Sequence, residues 1–245
     1  MGISISQEKP PQQHHEGNTK PSESNSTQAP QHNATAVKSS ETQCTMPHEY
    51  ENILKDADSP LNKSLSKEKL LNRLYEGVFL NNKTKKYWVD KSSNNCFILY
   101  ARALTITWAV DTPQYWTWVQ KKEEGSGSMI ELAELKNVCW FDVEGKFDAG
   151  KLSRGVRYQV SFNVMLKDWA DGWDIPINVG LRIGEHKQEH RESLLQLSKE
   201  SWTDIIVGDF VSSEKHVGEM RIWMYQHSGY WKSGLLVKGI FIKPR

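Results

Sequence analysis

From Tyr87 onward the apolar residues fall into short runs separated by turn formers. Leu104, Ile106 and Trp108 alternate with Thr105 and Thr107, and Tyr158, Val160, Phe162 and Val164 alternate with Gln159, Ser161 and Asn163. A period of two puts successive side chains on opposite faces of a strand. Similar runs cover 96–102, 115–119, 130–135, 138–143, 177–183, 202–207, 219–225 and 235–242. Turn signals lie between them, at Asp111-Thr112-Pro113, at Gly125-Ser126-Gly127-Ser128, and at Gly145 and Gly150. Residues 168–173 read as a loop carrying Trp169 and Trp173, and 185–192 as a charged stretch. Short strands at this spacing predict an all-β fold, an antiparallel sandwich or barrel.

The pattern changes ahead of Tyr87. Leu65, Leu70, Leu71, Leu74 and Tyr75 form one helical stripe, with Ser64 or Ser66 as the cap and Gly77 as the stop. Ile53, Leu54 and Ala57 precede a break at Ser59-Pro60. Residues 50–85 are therefore expected to hold short helices and a linker, packed on the domain that follows. Residues 1–49 contain no aromatic side chain and are dominated by Gln, Ser, Thr, Asn, His and Pro. Such a composition cannot bury enough apolar area to offset its ordering entropy, so a disordered leader is expected.

Composition narrows the function. Lys+Arg 31 against Asp+Glu 30 gives a formal charge of +1, which makes no strong electrostatic case for nucleic acid or an acidic partner. Cys44, Cys96 and Cys139 are too few, and odd in number, for a disulfide framework; Cys96 and Cys139 read as small buried hydrophobes. No apolar run has the length of a membrane span, and no apolar signal-peptide segment opens the chain. A cytoplasmic protein is the expectation. Met1-Gly2-Ile3-Ser4-Ile5-Ser6 fits the N-myristoylation pattern at Gly2, which by itself gives only weak, reversible membrane contact.

The candidate chemistry lies in tryptophan. Trp88, Trp108, Trp116 and Trp118, four of the ten, fall between Tyr87 and Trp118. Sugar recognition needs flat aromatic surface beside a few polar groups, and Asp111, Tyr115, Trp116 and Trp118 supply both within one strand and its preceding turn. Trp116 and Trp118 are the lead candidates. Tyr230-Trp231-Lys232-Ser233 could form another wall, as could Trp169 and Trp173, whereas Trp140, Trp202 and Trp223 are assigned to the core.

Several blocks in order carry a family resemblance: Ile106-Thr107-Trp108, Tyr115-Trp116, Lys136 through Val143, Trp173-Asp174-Ile175-Pro176, Val207-Gly208-Asp209-Phe210, and Trp231-Lys232-Ser233-Gly234 through Arg245. Over residues 86–245 the chain resembles the Nictaba-like domain of the phloem protein 2 lectins of plants. The resemblance implies a jelly-roll-like antiparallel β-sandwich and sugar-binding tryptophans at Trp108 and Trp116. It further implies a non-enzymatic lectin that recognises N-acetylglucosamine oligomers and the N-glycan core on glycoproteins, as a homodimer, in phloem sap, cytoplasm or nucleus, with a part in defence or stress.

RNA binding competes because aromatic platforms stack bases too, although residues 50–245 carry only +3. A structural role in sieve-element protein aggregates is a third reading. A glycosidase would need a carboxylate pair, with Asp142/Glu144 or Asp168/Asp171/Asp174 nearest, but nothing in the family supplies one. His186 and His190 stand four apart in a charged stretch that reads as a solvated loop or edge rather than a metal site. No cofactor motif occurs.

Overall fold

The computed structural model describes residues 45–60, 65–110 and 112–245. Residues 1–44, with the myristoylation pattern at Gly2 and with Cys44, lie outside the described residues, as do Ser64 and Asp111.

Two short helices come first, α1 (Tyr50–Ile53) and α2 (Lys67–Glu76). Ser66 caps α2, its hydroxyl accepting from Lys69 N at 3.4 Å, and Gly77 ends it at φ 93°. Leu71 and Leu74 on one face of α2 are buried, as is Ile53 of α1. Residues 45–49, counted by composition with the leader, are anchored: Asn95 Nδ2 donates to His48 O at 2.6 Å, and the His48 ring meets Gly150 O at 3.1 Å.

The strands follow: β1 (Val78–Leu80), β2 (Lys85–Val89), β3 (Asn95–Tyr100), β4 (Thr105–Ile106), β5 (Trp116–Lys122), β6 (Met129–Leu135) and β7 (Phe141–Asp148). The second half has β8 (Arg157–Asp171), β9 (Ile177–Ile183), β10 (His186–Glu192), β11 (Thr203–Val211), β12 (Glu219–Gln226) and β13 (Ser233–Pro244). They build two antiparallel sheets, an eight-stranded one centred on β13 and a five-stranded one in the order β10-β9-β12-β7-β4. The architecture is the expected jelly-roll-like β-sandwich. Because β1 adds to the large sheet and Val78 and Leu80 are buried with Ile53 and Leu74 in the same core, the folded unit begins ahead of Lys86.

Alternation decides what is inside. Tyr158, Val160, Phe162 and Val164 of β8 face Val179, Leu181, Ile222 and Met224 of the small sheet in one continuous core. β13 pairs with β8 along one edge, and along the other first with β6 and then with β3. The change of partner falls at a bulge between Val237 and Gly239. Gly239 has φ 154°, and any Cβ there would run into the Leu99 carbonyl, so only glycine fits. Gln188 of β10 closes one seam between the sheets. Its side-chain amide donates to Asp209 O at 2.8 Å and accepts from Asp209 N at 3.0 Å, beside the bulge in β11.

Two local expectations change. The strand expected over 104–108 is only two residues long, because Ala109 N bonds Ile106 O at 3.2 Å and the chain turns, with Trp108 at φ 69°. The loop expected at 168–173 is mostly strand, since β8 continues to Asp171 and pairs Ser233. Of the two readings offered for the charged stretch, solvated loop or edge, the edge holds: His186–Glu192 is the edge strand β10.

Candidate functional site

Four connections meet at one end of the sandwich: β4 to β5, β6 to β7, β12 to β13, and the C-terminal end of β8. Trp116 pairs with Leu135, Phe141 with Gln226, Ile106 with Val143, and Asp171 with Ser233, which places all four at the same end. Their backbones are tied together. Tyr115 O accepts from Lys136 N at 2.8 Å and from Asn137 N at 3.4 Å. Val138 and Lys232 exchange both backbone bonds, at 3.0 and 2.7 Å. Thr107 N donates to Asp142 O at 3.1 Å.

Upon this base stand five rings that are roughly half to two thirds open to solvent: Trp108 54%, Trp140 48%, Trp169 49%, Tyr230 68% and Trp231 53%. Large aromatics at this exposure are unusual on a surface with no partner, and several on one rim mark an interaction site. Tyr115 is half-buried and meets Trp108 edge-on, with ring centroids 6.3 Å apart. Trp140 stacks on His227 at 3.9 Å and 10°, and His227 Nε2 lies 2.8 Å from Asp142 Oδ2. The Lys136 ammonium stands 5.8 Å from the Trp169 ring. Carboxylate, ammonium and imidazole groups therefore sit beside flat apolar faces.

Four sequence candidates are placed differently. Trp116, a lead candidate, is 2% exposed. It begins β5 facing inward, stacks on Phe141 at 6.3 Å, and its Nε1 donates to Thr107 O at 3.1 Å. It offers no face to a ligand and instead fixes the loop that carries Trp108. Trp118 is half-buried, and the Arg102 guanidinium lies 3.6 Å from its ring centroid, held there by a bidentate pair with Glu131 at 2.8 and 3.0 Å. Its indole Nε1 is directed at Ala109 O at 3.4 Å, so ring face and N–H are already engaged. Lys232 is fully buried, its ammonium donating to Cys139 O and Tyr230 O, both at 2.7 Å, with Ser228 Oγ at 3.5 Å. Burial pulls its pKa below the ordinary lysine value. It is a strut between two rim loops rather than a wall of the site. Trp173 is also interior, 4% exposed, with Nε1 donating to Ser233 O at 2.8 Å.

Trp108, Tyr115 and Trp231 do come together at the rim, and Trp169 joins them. Trp140, assigned by sequence to the core, joins too. Its signal was present: Phe141, Val143, Gly145 and Phe147 alternate as the inward set of β7, leaving Trp140 just before the strand. Trp223, also assigned to the core, is only partly buried, on the outer face of β12, where Met220, Ile222 and Met224 are the inward set.

Comparison with known proteins finds a matching family and several relatives. The family model for Phloem protein 2 matches residues 94–244. The protein named Phloem Protein 2-like A1 of Arabidopsis thaliana is 46% identical over 204 residues, covering 81% of each chain. A lectin of Luffa acutangula is 40% identical over 201 residues, covering 81% of this chain and 94% of its own. A lectin of Coccinia grandis is 32% identical over 147 residues, covering 59% of this chain and 92% of its own. The family match takes in more than half of the chain, every strand from β3 to β13 and all four rim connections: the chain belongs to the phloem protein 2 family.

Proposed function

We propose that the chain is a carbohydrate-binding lectin whose aromatic rim takes oligomers of N-acetylglucosamine, free or as the core of N-linked glycans. The observation that carries this reading is the cluster of open rings, Trp108, Trp140, Trp169, Tyr230 and Trp231, on loops cross-tied by backbone bonds. A pyranose lays its C–H face on such a ring, and preorganised loops avoid the ordering cost that weakens flexible sites. Asp142 with His227, and Lys136, stand where hydroxyl and acetamido groups would be read. The lectin names of the Luffa and Coccinia relatives support the ligand class.

The test is calorimetric titration of the full chain with triacetylchitotriose. Trp231→Ala and Trp108→Ala should each stay within about 0.5 kcal/mol of wild-type stability, as surface changes do. Each should weaken binding about tenfold, which corresponds to losing roughly 1.4 kcal/mol of ring–sugar contact. Unaltered affinity in both variants would remove the rim from the reading.

A further inference from the structure

The outer face of the five-stranded sheet carries an arrangement that the rim does not use. Register places Lys146 opposite Arg221, Arg221 opposite Arg182, and Arg182 opposite Lys187. Four cations thus stand side by side across four strands. At a strand spacing of about 4.8 Å the row is about 14 Å long. Like charges directly opposite one another are unfavourable in a sheet. Three members are balanced: Lys146 by Glu219 at 3.2 Å, Arg221 by Glu144 at 2.6 and 2.9 Å, and Lys187 by Glu189 at 3.3 Å. Arg182, in the middle, has its Nε on Gly184 O at 3.2 Å, and among the described residues no carboxylate pairs with it.

A flat platform adjoins the row. Trp223 lies against Gly180 of the neighbouring strand so closely that a Cβ there would come 2.5 Å from the indole ring. Its Nε1 donates to Glu189 at 3.1 Å, and the Lys187 ammonium stands 5.7 Å from the ring. Glycine at 180 therefore lets the indole lie flat on the sheet. The platform, Arg182, Arg221, Lys187, Glu144, Glu189 and Tyr225 line an open depression of about 350 Å³, which runs on to Asp142 and His227 at the border of the rim.

We propose that this face is a second saccharide site, bordering the rim at Asp142 and His227 but centred on Trp223 and Arg182, which takes an acidic oligosaccharide. One sugar ring stacks on Trp223, and its carboxylate or sulfate settles on Arg182 within the cation row. The mixed charge selects the ligand class. Glu144 and Glu189 can accept hydrogen bonds from hydroxyls, whereas a strand with a phosphate at every step would be driven against them. The row accommodates about three sugar units. Arg182 takes no part in the rim, so substitutions there and at Trp231 tell the two sites apart.

The experiment titrates the full chain with tri-galacturonate, with its methyl ester, and with a sulfated galactose trisaccharide. The acidic probes should bind at least tenfold more tightly than the ester, and their affinity should fall as salt is raised. Whichever acid binds better identifies carboxylate or sulfate as the natural anion. Arg182→Gln should cost tenfold in affinity for the acidic probe while leaving triacetylchitotriose binding and the thermal midpoint unchanged. Trp231→Ala should do the reverse, leaving the acidic probe unaffected. Equal affinity for acid and ester, an Arg182→Gln variant that binds like wild type, or tighter binding of a single-stranded oligouridylate at this face would each overturn the proposal.

Discussion

Replacing Lys232 by Met tests whether the rim depends on one buried ammonium. Methionine keeps the unbranched apolar stem and deletes only the charge. The deletion strands two interior carbonyls, Cys139 O and Tyr230 O, each now 2.7 Å from Nζ. An unsatisfied buried acceptor costs about 1–3 kcal/mol. Against this stands relief of the desolvation that already lowers the Lys232 pKa, so the net loss should be about 2–3 kcal/mol. Urea unfolding followed by tryptophan emission should show a lower midpoint with an unchanged slope. Hydrogen exchange should quicken at the Val138 amide, which is bonded to Lys232 O, and triacetylchitotriose affinity should drop with it. The pH dependence gives a second check. A lysine whose folded pKa is lowered binds its proton less tightly folded than unfolded. Its contribution to stability therefore rises with pH between the folded pKa and the ordinary value, and the methionine variant should lack that rise. A variant as stable as wild type would mean that the two carbonyls do not need the ammonium, and the strut would be rejected.

Three other outcomes are expected. Trp116→Ala should cost about 3–5 kcal/mol in urea unfolding, because it opens a cavity beside Phe141; loss of sugar binding without loss of stability would show that the indole faces ligand after all. Gly239→Ala should cost more than about 1 kcal/mol, since φ 154° and the Leu99 carbonyl leave no room for Cβ; an unchanged midpoint would refute the partner-switch argument for β13. Burial, with the charge of Asp90 adding to it, pushes the Cys96 thiol up to about 12 from 9.0. Its stabilising share is complete below pH 9 and is lost towards pH 12, as the unfolded chain releases the proton first, at a slope of about 1.4 kcal/mol per pH unit. Cys96→Ala should flatten that alkaline fall in unfolding free energy, although Tyr158, raised to about 12 mainly by burial, preserves part of it.

The sandwich was legible because two-residue periodicity survives in β7, β8 and β12, where one face is buried and the other is wet. The rim was only half legible. Trp116 and Trp118 stand on the same strand face, and alternation alone does not say which face looks inward; the register with Leu135 and Ala133 decides it. Lys232 read as a surface cation because a sequence does not reveal that Cys139 and Tyr230 turn their carbonyls towards it. Trp140 was missed by starting β7 three residues early, at 138 rather than at Phe141. The cation row needs three registers at once, and its members are far apart along the chain, so no local motif announces it.

The Gln188 seam has a consequence for how copies of this chain coexist at high concentration. A bare strand border invites an incoming strand, and repeated docking grows a fibril. At Asp209 the main-chain donor and acceptor on that border are both taken by one side-chain amide. Gln188 thus imitates the missing neighbour, and at this point of the β11 border no incoming strand finds a free donor and acceptor.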